Sequence, residues 1–228
     1  MPRQLTLDLP VRAALGRDDF FVSPANALAV TMIDAPGRWP QGKLLLVGPE
    51  GAGKSHLAAV WAGNAGAATV EARALTSDSV PQIARHRQVL VENAHAVAGD
   101  SSREAALFHL HNLLLDLHGQ LLLTATAAPG LWGLGLPDLR SRMEATSTVT
   151  IAAPDDALLG AVFLKLFADR QVQVAPGLIT YIIARTDRSF ASARKLVAAL
   201  DARALALGRP VTRALAAEML DSADDRAP

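Results

Sequence analysis

The chain has 228 residues, half of them apolar, with 22 basic and 22 acidic side chains and no cysteine. That length suits one α/β domain, or one plus a small helical appendage. Zero net charge excludes a global field that would pull the chain onto duplex nucleic acid or acidic lipid, and the lack of cysteine excludes disulfides and thiolate metal sites.

Residues 1–20 alternate apolar and polar and then pass through Gly16 and Arg17-Asp18-Asp19, which reads as a tail or arm. The first ten residues carry Asp8 and have no continuous apolar stretch, so no secretory leader is expected. No uninterrupted apolar run approaches the roughly 18 residues of a membrane span, and the missing thiols fit a reducing cytoplasm. Pro24 to Ala35 predicts a short helix ended by Pro36-Gly37. Lys43 to Val47 is an apolar run leading straight into glycines, the pattern of a buried parallel strand.

Lys54 to Asn64 then has helical spacing. Short apolar runs recur at Ala68–Val70, Val89–Val91, Leu121–Thr124 and Thr148–Ile151. Helical stretches lie between them, clearest from Arg103 to Leu117, with Leu107, Leu110, Leu114 and Leu117 on one stripe. Alternating strands and helices predict a parallel sheet with helices on both faces. After Ala153-Pro154 only helical patterns remain: Leu158–Asp169, Pro176–Arg185, Ser189–Leu207 and Thr212–Leu220. The expected organisation is a tail over 1–20, an α/β base over 21–153 and a small all-helical lid over 154–228.

Gly48-Pro49-Glu50-Gly51-Ala52-Gly53-Lys54-Ser55 satisfies the phosphate-loop pattern G-x-x-x-x-G-K-[ST] completely, with a strand before it and a helix after. Its glycines let backbone N–H groups converge on an anion. Lys54 would reach the outer phosphates and Ser55 would ligate Mg²⁺. The partner element is Gln88-Val89-Leu90-Val91-Glu92-Asn93, where Glu92 would hold the metal's water shell. Asn93 stands where a water-activating Glu is usual. An amide can position a water but cannot take its proton, so slow intrinsic hydrolysis is expected.

These residues, in this order, resemble the AAA+ domain of the bacterial replication initiator DnaA and, more closely, the Hda-type DnaA inactivators. The similarity runs from about Phe20 to Leu220. Gly53-Lys54-Ser55-His56-Leu57 is similar to the initiators' phosphate loop, which adds His56 to the nucleotide site. Leu121 to Pro129 resembles the sensor 1 strand with Thr126 in the polar place; the arginine that initiators often have next is Ala127 here. Leu136-Pro137-Asp138-Leu139-Arg140-Ser141-Arg142 resembles the segment whose Ser-Arg arginine is a finger acting in trans, which implies that role for Arg142. Ser192-Ala193-Arg194-Lys195-Leu196 resembles the sensor 2 helix, with Arg194 facing phosphate. Phe20-Phe21-Val22 and Pro24-Ala25-Asn26 resemble the segment covering the adenine, which implies contacts from Phe21, Val22 and Asn26.

The resemblance implies ADP or ATP with Mg²⁺ as ligands, DnaA as partner and a bacterial cytoplasmic setting; a homodimer is left open. The chain stops soon after the lid, so the initiator's C-terminal DNA reader is expected to be absent, and sequence-specific DNA binding with it. Gln4-Leu5-Thr6-Leu7-Asp8-Leu9 matches the short peptide by which such proteins dock on the sliding clamp, the beta subunit of DNA polymerase III. Gln4 would supply hydrogen bonds, and Leu5, Leu7 and Leu9 apolar contacts, although the same alternation also suits an edge strand. Two other functions stay open: a self-sufficient motor or loader, and a nucleotide-locked clamp adaptor. His109, His111 and His118 share one helical stretch without metal-ligand spacing and are expected at the surface or in subunit contacts.

Overall fold

A computed structural model describes residues 22–224. The proposed clamp peptide (Gln4, Leu5, Leu7, Leu9) and Phe21 lie outside the described residues. Five strands form one parallel sheet: β1 (Lys43–Val47), β2 (Ala68–Glu71), β3 (Gln88–Glu92), β4 (Gln120–Ala125) and β5 (Thr148–Thr150), in the spatial order β2-β3-β4-β1-β5. The continuous apolar runs become the inner strands. All five residues of β1 are buried, whereas edge strand β2 alternates half-buried with exposed and β5 buries only Val149. That is the expected difference between a strand covered on both faces and one at a rim.

Helices cover both faces. On one side α1 (Ala27–Asp34) and α2 (Lys54–Ala65) pack Ile33, Leu57, Ala58 and Trp61 against Leu44, Leu46 and Leu122. On the other, α3 (Val80–Ala84), α4 (Ser101–Asp116) and α5 (Pro137–Glu144) cover Leu45, Val91, Leu121 and Leu123. Within α4 the expected stripe is real: Leu107, Leu110 and Leu114 are fully buried and Leu117 partly so. Asp100 caps this helix by accepting from the backbone N–H groups of Ser102 and Arg103. The all-helical part contains α6 (Asp156–Asp169), α7 (Pro176–Ile183), α8 (Phe190–Leu207) and α9 (Arg213–Asp224), around a separate core that includes Phe163, Phe167, Ile182, Val197, Leu200 and Leu215. Among the described residues no helix is long and apolar enough to cross a membrane.

Helix α5 has no counterpart in the apolar pattern, because only Leu139 and Met143 of its eight residues are buried. A carboxylate anchors it instead. Glu104 is 2% exposed and accepts three backbone hydrogen bonds, from Gly99 (3.1 Å), Gly135 (3.2 Å) and Leu136 (2.7 Å). A buried charge of this kind is tolerable only when such donors surround it. Leu136 is the N-cap of α5, so Glu104 fixes where that helix begins.

One expectation fails. His109 and His118 are exposed, but His111 is 2% exposed and belongs to the interior. Its Nδ1 lies 3.3 Å from Nζ of Lys43, itself fully covered at the start of β1. Helical geometry turns His111 to the buried face of Leu107 and Leu114, four residues back and three ahead. Burial, then the charges of Lys43 and Arg142, push the His111 pKa down to about 4, opposed by a hydrogen bond to Asn112 Oδ1, which favours the protonated ring. Burial, followed by Arg142, lowers Lys43 to about 8, with Asp116 opposing.

A depressed histidine pKa means that protons favour the unfolded chain. The stability that neutral His111 contributes is present above pH 6.5 and lost as pH falls towards 4. At roughly 1.4 kcal/mol per pH unit the loss is about 3 kcal/mol. In His111→Gln the amide oxygen still accepts from Lys43 but does not titrate. Urea unfolding at pH 6.5 and pH 4 should therefore show a smaller drop in the variant than in wild type; equal drops would place His111 outside this linkage.

Candidate nucleotide site

The loop joining β1 to α2 is residues 48–53, and its conformation requires its glycines. A Cβ on Gly48 would sit 2.2 Å from the carbonyl oxygen of Ile151, an immovable backbone atom. Gly51 has φ +73° and faces the side chain of Ser189, which a Cβ would meet at 2.4 Å. Gly53, left-handed at φ 97°, starts α2 without any side-chain cap. The first N–H groups of that helix thus receive no side-chain acceptor, and its positive dipole end faces the loop. Pro49 and Glu50 are exposed at the tip, while Ala52 is buried beneath it.

Lys54 is 7% exposed and folds back on the loop. Its Nζ donates to the carbonyls of Gly48 (2.7 Å) and Pro49 (2.8 Å). Burial lowers its pKa, opposed by the carboxylates of Glu50 and Glu92. A cation desolvated this far, held only by neutral carbonyls, is set to exchange them for an anion. His56 follows in the first turn of α2, half buried.

The sheet brings the second acidic element to the loop. Ser55 Oγ donates to Glu92 Oε2 at 2.5 Å. A hydroxyl and a carboxylate side by side form a hard-oxygen pair, the donor chemistry that suits Mg²⁺ when phosphates and water complete its shell. Among the described residues no group of three His, Asp or Glu side chains could hold a metal unaided.

Asn93 follows with left-handed backbone (φ 54°), its N–H donating to Thr124 Oγ1 at 3.0 Å. Its side-chain amide turns outward and donates to Glu71 at the end of β2 (3.2 Å to Oε2). Thr126, just past β4, lies 3.2 Å from Nε2 of His95. Burial, then the positive charges of Lys54 and Arg73, lower the pKa of His95, with Glu50 opposing. Glu71, His95, Thr124 and Ser189 were not legible as site residues. The first three meet Asn93 and Thr126 only through sheet register (Glu71 pairs with Glu92), and Ser189 is brought in by the helical part.

That helical part closes on the loop directly: the Phe190 N–H donates to Gly51 O at 2.9 Å. Arg194 is exposed, a little over one turn further along the same helix. Before α1, Val22 is exposed, whereas Asn26 is buried and its side-chain oxygen accepts from Ser23 N at 2.9 Å, tying down the turn into that helix. Arg142 stands elsewhere. It is exposed in the last turn of α5, and its charge acts on Lys43 and His111 at the opposite end of β1 from Gly48. Lys43 and Gly48 themselves are separated by the length of β1, about 16 Å.

No family model matches the chain. The chromosomal replication initiator protein DnaA of Thermomicrobium roseum is 26% identical over 241 residues, covering 92% of this chain; the chain spans about half (50%) of that relative's length. Among solved structures, domain III of Thermotoga maritima DnaA superposes with a TM-score of 0.76 at 17% identity, covering 94% of this chain and 98% of that one. AMPPCP-bound DnaA from Aquifex aeolicus gives a TM-score of 0.68 at 18% identity, over 82% of this chain and 64% of that one. The RuvB Holliday junction branch migration motor of Thermotoga maritima gives 0.71 at 16% identity, over 91% and 71%. The fold is therefore that of a AAA+ domain like domain III of DnaA, and the sequence carries a distant likeness to the initiator.

Proposed function

We propose that this chain is an Hda-type regulator of replication initiation that switches off DnaA. The base and helical lid, divided near residue 153, hold ADP or ATP between them. Residues 48–55 surround the phosphates, Ser55 and Glu92 hold Mg²⁺, and Arg194 faces the outer phosphates from the lid. The metal would neutralise charge on the phosphate oxygens. Val22, Asn26 and Phe21 lie toward the base of the nucleotide. Gln4 to Leu9 docks on the DNA-loaded sliding clamp, and Arg142 reaches into the ATP site of a neighbouring DnaA. An arginine supplied in trans stabilises the charge of phosphoryl transfer, worth about 10³ to 10⁵ in rate in GTPases.

The observation that carries this reading is the position of Arg142. It is exposed, on a helix whose start is pinned by Glu104, and its charge acts on Lys43 and His111 at the end of β1 away from Gly48; these features support a role at another chain's nucleotide. The Asn at 93 agrees, since it leaves a weak hydrolysis site at home. RuvB shows that this fold also serves motors, so the test must follow DnaA's nucleotide.

Conversion of DnaA-bound ATP to ADP is followed with loaded clamp. Wild type should accelerate it, Arg142→Ala should not, and Arg142→Lys should rescue poorly because a point charge cannot replace the planar guanidinium's paired contacts. Arg140→Ala is the internal control and should behave as wild type. Full stimulation by Arg142→Ala would reassign the finger, and none by wild type would remove the function. Separately, Gln4, Leu7 and Leu9 all changed to Ala should abolish clamp binding by surface plasmon resonance while thermal stability and nucleotide affinity hold. Early unfolding would make the segment a strand of the domain.

A further inference from the structure

The bond between Asn93 and Glu71 carries a consequence for the chain's own nucleotide site. A carboxylate only accepts hydrogen bonds, so the Asn93 amide must present Nδ2 to Glu71, as it does at 3.2 Å and 3.5 Å to the two oxygens. That orientation leaves Asn93 Oδ1 as the group available to a water near the nucleotide. Oδ1 can accept one hydrogen from that water but cannot keep the proton.

Of the carboxylates at this end of the sheet, Glu71 and Glu92 are paired in register on adjacent parallel strands, while Glu50 lies in the loop after β1. Glu92 is engaged by Ser55, on the metal side of the site. Glu71 is exposed and held against Asn93. The roles usually joined in one glutamate are here divided between two neighbouring strands. We propose that Glu71 is the general base for this chain's own slow ATP hydrolysis, with Asn93 orienting the attacking water. The proposal rests on residues 48–55 being a nucleotide cradle.

The water oxygen bonds to the γ-phosphorus while the bond from that phosphorus to the β–γ bridging oxygen breaks. ADP leaves, the proton of the water passes to a Glu71 oxygen and from there to solvent, and inorganic phosphate is the second product. Glu71 needs no displacement of the backbone, because β2 already ends beside Asn93.

The test is single-turnover hydrolysis of γ-labelled Mg–ATP by excess full-length protein, with the ATP Kd measured beside it by calorimetry. In Glu71→Gln the side-chain oxygen still accepts from Asn93, so a merely structural role is preserved and only the proton acceptor is lost. The variant should hydrolyse on the order of 10² more slowly with Kd nearly unchanged. Adding Asn93→Glu to Glu71→Gln mirrors the pair and should restore the rate to the wild-type level or above. Equal rates in wild type and Glu71→Gln would overturn the proposal, as would failure of the added carboxylate to restore turnover, or bound ATP that wild type never cleaves. Absence of ATP binding in wild type would instead overturn the cradle itself.

Discussion

The nucleotide site depends on one buried lysine whose hydrogen bonds go to carbonyls and not to a carboxylate. Lys54 is desolvated at the start of α2 and satisfied by the carbonyls of Gly48 and Pro49, the two residues at the head of the loop it follows. Neutral acceptors are second-best partners for an ammonium in a low-dielectric place. The surrounding loop needs glycine where a side chain would strike Ile151 or Ser189, and it leads into a helix without a side-chain cap. Loop, helix dipole and lysine all present positive character to the same space, and a phosphate chain satisfies all three together.

From that space the architecture divides its tasks along the sheet. At the carboxyl ends of the strands, Ser55, Glu92, Asn93, Glu71, Thr126 and His95 converge, and the lid touches the loop through Phe190 and Gly51. At the other end, Lys43 and His111 form a buried polar pair beneath α5, within range of Arg142's charge. Glu104 ties the start of α5 to the loop that precedes α4, so the arginine's helix is fixed at its amino end by a carboxylate and seated on Leu139 and Met143.

Much of this was legible in the chain. Strand β1 begins and ends where its apolar run does, because a strand buried on both faces tolerates no polar interruption. The phosphate loop was legible because its chemistry is local: glycines, lysine and hydroxyl are contiguous. Glu71, His95 and Thr124 were not, because they join the site only through pairing of strands whose partner residues stand more than 20 positions apart. The interior place of His111 was missed for a similar reason. Its partner Lys43 lies 68 positions away, and a histidine among leucines carries no mark of a buried lysine opposite. Helix α5, short and polar, is anchored by the distant Glu104, which accepts from the N–H groups of Gly135 and Leu136 just before it.

The central claim is that the space around Lys54 holds the phosphates of an adenine nucleotide, and calorimetric titration with ADP and with Mg–ATP tests it most directly. Wild type should bind both, and Lys54→Ala should weaken binding about 100-fold, the equivalent of losing one or two charge-assisted hydrogen bonds. Thermal unfolding of the nucleotide-free variant checks that the fold survives the loss of Lys54's bonds to the carbonyls of Gly48 and Pro49. Equal affinity in the two proteins, or no affinity in either, would contradict a phosphate-binding role for residues 48–55.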